Sequence, residues 1–259
     1  MKWNEIIGWK NPRWNKRMTA WAKKIDRWNE FNLIDHIYAG LWKQNDVKRL
    51  YDVYYSQGAR YSFISADKKY NLTQKTICDV GCGCGINLFF CTSESYGIDI
   101  NAQKILWCKA LGLKAEGINL GEDDISNQPK VDAIYCGGVI EHVDNLHRFL
   151  KALNQLLNPD GILVLHASII PSVRLLERLP GLIGGYIRGW NLPTMHANAF
   201  TKTTLRYCIE VAGFDTIEMT PLYPFPFSIF NHVPILRNIM GKCTYIGKKN
   251  DNKIANKRW

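Results

Sequence analysis

The chain has 259 residues and a mass of 29.8 kDa, enough for one large domain or a domain with appendages, and ample for a core. Hydrophobic residues make up 46% and charged residues 22%, which excludes a disordered chain and a membrane bundle. The formal charge of +10 divides into +6 over residues 1–50, −3 over 51–170 and +7 over 171–259. The basic character belongs to the two ends, and a slightly acidic module lies between them.

The opening MKWNEIIGWK has no apolar core and no small-residue cleavage site, so a secretory signal is not expected. The eight cysteines then read as free thiols of a reducing cytosol. Trp14, Met18, Trp21, Ile25 and Trp28 step by four and three residues, so a helix would place them on one stripe. Lys16, Arg17, Lys23, Lys24 and Arg27 fall mostly off it. This pattern suits a helix lying in a membrane interface, and equally a lid helix packing its tryptophans onto the neighbouring domain. Residues 1–58 are thus expected to form a helical, Trp-rich basic segment, followed by the main domain over 59–250.

Within that domain, TICDV (76–80), SYGIDI (95–100), LKAEGI (113–118), VDAIYC (131–136) and GILVLHA (161–167) are short, nearly continuous apolar runs. Strands buried on both faces of a parallel sheet read this way. Between them INLFFCTS, NAQKILWCKALG and NLHRFLKALNQLLN space apolar residues by three and four, as helices do. Asn-Pro-Asp-Gly at 158–161 reads as a turn between the last helix and its strand. The alternation predicts an α/β, Rossmann-like, doubly wound and mostly parallel seven-stranded sheet. Residues 168–200 and 219–240 are rich in large apolar residues, glycine and proline, and are expected to form an apolar insertion on the substrate side. The longest uncharged stretch is interrupted by Pro221, Pro224, Pro226 and Pro234, so no spanning helix is expected there. A basic tail, 251–259, closes the chain.

The loop after the first strand, Asp79-Val80-Gly81-Cys82-Gly83-Cys84-Gly85, is a glycine-rich turn against which a ligand can lie without meeting a Cβ. Small residues suffice to explain its C-x-C, and no metal site is assigned to it. The next strand ends Gly97-Ile98-Asp99, twenty residues after Asp79, where a carboxylate can accept two hydrogen bonds from ribose hydroxyls. The G-x-G-x-G spacing and the acid two residues ahead of it suit a cationic ligand better than a pyrophosphate, which favours S-adenosylmethionine (SAM) over a dinucleotide.

D-V-G-C-G-C-G, G-I-D, V-D-A-I-Y-C-G-G-V-I-E-H-V and L-L-N-P-D-G-I-L-V-L resemble the motifs of class I SAM-dependent methyltransferases. They are similar to those of the O-methyltransferases of ubiquinone biosynthesis, over roughly residues 60–215. The resemblance implies that Asp79, Gly81, Cys82, Gly83 and Gly85 meet the methionine part of the cofactor, with Arg60 near its carboxylate. It further implies that Asp99 and Ile100 hold the ribose side and that Gly137 touches the cofactor through its backbone. The acid that many relatives place after the third strand for the adenine amine is missing here, or displaced to Glu122, Asp123 or Asp124, and Asn119 and Leu120 are expected beside the adenine. Some relatives carry E-x-x-E-H after the fourth strand as a metal site. Here Gly138 replaces the first acid, so no metal is expected, and Glu141 and His142 are the catalytic candidates, His142 as general base. His147, His166 and His196 are weaker candidates, His166 being read as packed.

The expected activity is O-directed methyl transfer to a small amphipathic or lipid-linked acceptor. The enzyme is expected in the cytoplasm, with a peripheral position on the inner membrane face as a further expectation. Two alternatives remain: a nucleic-acid methyltransferase, prompted by the pI of about 9.2, and a SAM-binding partner protein without turnover. Against the first, no nucleic-acid module is present and the end charges are interleaved with apolar residues.

Overall fold

Each of the five apolar runs forms a strand, and two more strands complete the sheet. The computed structural model describes residues 59–83, 85, 87–110, 112–169, 197–222 and 241–252. The strands are β1 (Ile77–Val80), β2 (Tyr96–Asp99), β3 (Ala115–Gly117), β4 (Val131–Gly137), β5 (Leu157–Ile169), β6 (Phe214–Leu222) and β7 (Gly241–Lys249). Their order is β3-β2-β1-β4-β5-β7-β6. β1 pairs in parallel with β2 and β4, as do β2 with β3 and β4 with β5. β7 runs antiparallel to both β5 and β6. The sheet is therefore mixed, parallel in its first five strands, as the alternating strand and helix patterns predict.

All four residues of β1 and of β2 are buried, which is why these strands read as unbroken apolar runs. Among the described residues four α-helices flank the sheet: α1 (Ala59–Tyr70), α2 (Ala102–Ala110), α3 (Leu146–Leu156) and α4 (Lys202–Val211). On α3, Phe149, Leu150, Leu153 and Leu156 are buried, a three- and four-residue spacing that gives the helix one apolar face. They share a core cluster with Leu205 and Ile209 of α4 and with Cys78, Val80, Ile134 and Cys136 of the central strands. Tyr135 alternates with Ile134 and Cys136 and so points to the opposite face. There its ring meets Phe63 of α1 edge-on, with centroids 5.1 Å apart. Helices thus cover both faces.

Two local expectations are corrected. The INLFFCTS run does not build an α-helix: among its described residues only Leu88–Phe90 forms a 3-10 turn, closed by the Phe90 amide on the Asn87 carbonyl and the Cys91 amide on that of Leu88. Thr92 and Ser93 follow at once, and their hydroxyls bond Ser95 and Glu94. Short polar side chains that bond locally compete with helix propagation. Asn-Pro-Asp-Gly is not a turn ahead of the strand but lies inside it, because β5 already begins at Leu157. Val131 pairs with Leu157 and Ala133 with Ile162, so the extra residues bulge out, with Asp160 at φ 63°.

Residues 1–58, 170–196, 223–240 and 253–259 lie outside the described residues, and with them the Trp-rich segment, His196 and most of the apolar insertion. The insertion's expected borders are shifted, since Ser168 and Ile169 belong to β5, Met219–Leu222 to β6, and Phe200 bridges to Ile169.

Candidate active site

The strand order reverses at β1, between β2 and β4, and ligands of open α/β sheets bind beyond the carboxyl ends of the strands at such a point. A cleft of about 350 Å³ opens there. The loop after β1 forms one wall. Gly81, Gly83 and Gly85 all take left-handed φ values of 73°, 56° and 77°. At Gly81 a side chain is excluded twice over, because an added Cβ would also overlap the Val139 side chain from the facing loop.

Asp99, at the end of β2, is 7% exposed and borders the cleft. Its Oδ2 accepts the Gly83 amide at 2.9 Å and its Oδ1 the Asn101 amide at 2.9 Å. One carboxylate thus ties the glycine loop to the start of α2. Each oxygen keeps a further lone pair for a ribose hydroxyl. Ile100, 76% exposed, lies on the rim beside it, and Asn119 and Leu120 line the far side. The acids after β3 are engaged elsewhere: Asp123 accepts the Asn119 amide and Asp124 the Ser126 amide and hydroxyl. The Arg148 guanidinium donates to the Glu122 carbonyl, pinning this loop to α3. Asn119 uses its own Oδ1 to accept the Gly121 amide at 3.0 Å.

Asp79 lies behind the loop, 1% exposed. Burial pushes its carboxyl up to about 8, with the Asp99 charge adding to the rise and the Asn87 amide, donating at 3.2 Å, opposing it. Burial thus favours the protonated form of this acid. Cys82 and Gly85 are also buried behind the loop. Cys82 Sγ points to the Gly83 carbonyl at 3.7 Å. Arg60 lies in the first turn of α1, and its side chain is outside the described residues.

Across the cleft, β4 ends in Gly137 and Gly138, both on the wall. Gly138 has φ 67° and open space where a Cβ would stand. A 3-10 turn, Ile140–His142, follows. His142 is exposed and lines the cleft. Glu141 points the other way: it is 3% exposed, and its Oε1 accepts the Ser168 amide at 2.6 Å. His147 is exposed on α3, and His166 is buried with Nδ1 3.0 Å from Thr244 Oγ1, a packed histidine as expected.

Asn87, Lys104, Tyr135 and Asp144 also line the cleft, and sequence reasoning missed them. Tyr135 is the most informative. Its hydroxyl lies 2.6 Å from Ser62 Oγ of α1 and 2.7 Å from where a Cβ on Gly137 would sit. A Gly two residues after a Tyr in the same strand is the signal that was available, because the two share a face and the ring fills the glycine's space.

The fold and the cleft define a class I SAM-dependent methyltransferase, with positive-φ glycines on one wall and, beside them, an acid that accepts two backbone amides. The chain belongs to the methyltransferase-domain family, whose model matches residues 48–219. Among curated proteins it is similar to the ubiquinone biosynthesis O-methyltransferase of Rickettsia typhi, at 27% identity over 72% of this chain and 78% of the relative. Alignments to counterparts from Rickettsia prowazekii and Rickettsia canadensis span 65% and 53% of those proteins. Among solved structures it resembles a SAM-dependent methyltransferase from Mesorhizobium loti (TM-score 0.56, 16% identity, 75% of this chain and 99% of that one). It also resembles the Burkholderia thailandensis 1,6-didemethyltoxoflavin-N1-methyltransferase solved with S-adenosylhomocysteine (TM-score 0.53, 15% identity, 80% and 86%). The cofactor is SAM. No helix among the described residues is long and apolar enough to cross a membrane.

Proposed function

We propose that this methyltransferase is O-directed and acts on a hydroxyl of a small amphipathic or lipid-linked acceptor. The observation that carries the reading is one cleft that joins Asp99 and the glycine loop to His142. The similarity to ubiquinone biosynthesis O-methyltransferases supports oxygen as the accepting atom. SAM, when bound, supplies an electrophilic methyl group on a sulfonium. The chain's own residues do the rest. Asp99 and Ile100 hold the ribose side, Asn119 and Leu120 border the adenine, and Gly137 offers its backbone at the centre. Asp79, Gly81, Cys82, Gly83 and Gly85 shape the methionine end, with Arg60 nearby on α1.

His142 takes the proton that the acceptor hydroxyl gives up as its oxygen gains the methyl group. The open space at Gly138 leaves room for the acceptor beside it. Alignment of acceptor and methyl group supplies much of the rate in such a displacement, and a general base adds about 10²–10⁴-fold. The test is transfer of isotopically labelled methyl from SAM to a panel of phenols, with and without prenyl chains, and to RNA as a control. The expected result is labelled methyl ether on the phenols, reduced at least about 100-fold in His142→Asn. Label on RNA alone would overturn the reading.

A further inference from the structure

We infer that Glu141 is a positioning residue: together with Asn198 it braces, from behind, the turn that carries Val139 and His142 into the cleft. The need for a brace arises where β4 stops and β5 continues. Their ladder ends with Gly137 opposite His166, and the Gly138 amide donates to the His166 carbonyl at 2.8 Å. β5 runs on to Ile169, beyond the last β4 pair at His166, so β4 offers the Ser168 amide no carbonyl. Glu141 Oε1 accepts it at 2.6 Å, taking the place of a backbone carbonyl that β4 no longer supplies.

Asn198 completes the arrangement. Its amide donates to the Glu141 carbonyl at 2.9 Å. Its side-chain Nδ2 donates to the carbonyls of Ile140 at 3.1 Å and Val143 at 2.5 Å. Three carbonyls of one short turn are thus held by a single asparagine. The turn in question is the one whose Val139 abuts Gly81 of the glycine loop, and whose Val139, His142 and Val143 line the cleft. Movement of the brace therefore reaches the cofactor wall and the candidate base together.

The accepting role needs an oxygen at Oε1 and not a negative charge, which separates it from proton transfer or cation binding by Glu141. This separation gives the test, and the test does not depend on the acceptor proposed above. S-adenosylhomocysteine affinity is measured by calorimetry, and the His142 imidazole signals by NMR, in the full-length chain. Glu141→Ala is expected to weaken S-adenosylhomocysteine binding about tenfold and to shift the His142 signals, because the half-buried Ser168 amide loses its acceptor. Glu141→Gln keeps an acceptor at the same place and is expected to stay within about twofold of the wild type, with His142 unmoved. Asn198→Ala is expected to reproduce the Glu141→Ala changes while leaving the carboxylate intact, which keeps the test informative should Glu141→Ala fail to fold. Loss in Glu141→Gln as large as in Glu141→Ala would overturn the inference in favour of a charge-dependent role. Unchanged affinity and signals in Asn198→Ala would overturn it as well.

Discussion

At the scale of single residues, Asp79 connects burial to ligand charge. Burial pushes its carboxyl up to about 8, whereas a cationic ligand at the methionine end proposed for it would stabilise the ionised form. Binding of SAM should therefore release close to one proton per site at pH 7. Calorimetry in buffers of different ionisation enthalpy measures this, and Asp79→Asn should abolish it. The same shift has a stability consequence of definite sign. The unfolded chain loses this proton near the ordinary value of 3.8, and the folded chain keeps it up to about 8. The group's contribution is thus fully present below about pH 4 and is lost progressively as the pH rises towards 8.

At the scale of elements, α3 lays one apolar face on the sheet. Its Asn145 cap accepts the Arg148 amide at 3.1 Å, and Leu153 is fully buried. Leu153→Ala should cost about 2–5 kcal/mol through lost burial and a residual cavity, against about 1 kcal/mol for Asn145→Ala. Urea unfolding of the two variants distinguishes them. This helix was plain in the sequence because its apolar spacing needs only local information. So were the glycine loop and Asp99, which follow from a strand, a tight turn and a second strand ending in an acid. The run after the loop has similar apolar content, yet the bonds made by Asn87, Thr92 and Ser95 override its spacing. The role of Tyr135, the bond that turns Glu141 away from the cleft, and the role of Asn198 were hidden for a different reason. They rest on neighbours 73, 27 and 57 residues away, and no local pattern encodes such pairings.

For the whole molecule, charge is distributed as +6, −3 and +7 along the chain, with the catalytic fold at its centre. The interfacial reading of the Trp14, Trp21 and Trp28 stripe predicts that replacing all three by Ser lowers co-sedimentation with anionic liposomes by at least about threefold, while S-adenosylhomocysteine affinity stays unchanged. Equal sedimentation of both forms, with altered ligand affinity, would assign the stripe to a lid instead.

The placement of β7 has a consequence for biosynthesis. In the sheet, β7 sits between β5 and β6 although it follows both along the chain. A ribosome that has delivered everything up to residue 240 has therefore made β5 and β6 without the strand that joins them. Until β7 emerges, the long β5 exposes one unpaired edge and β6 has no place to attach, a state open to pairing with other chains. Completion of the sheet is thereby deferred until β7 has been made.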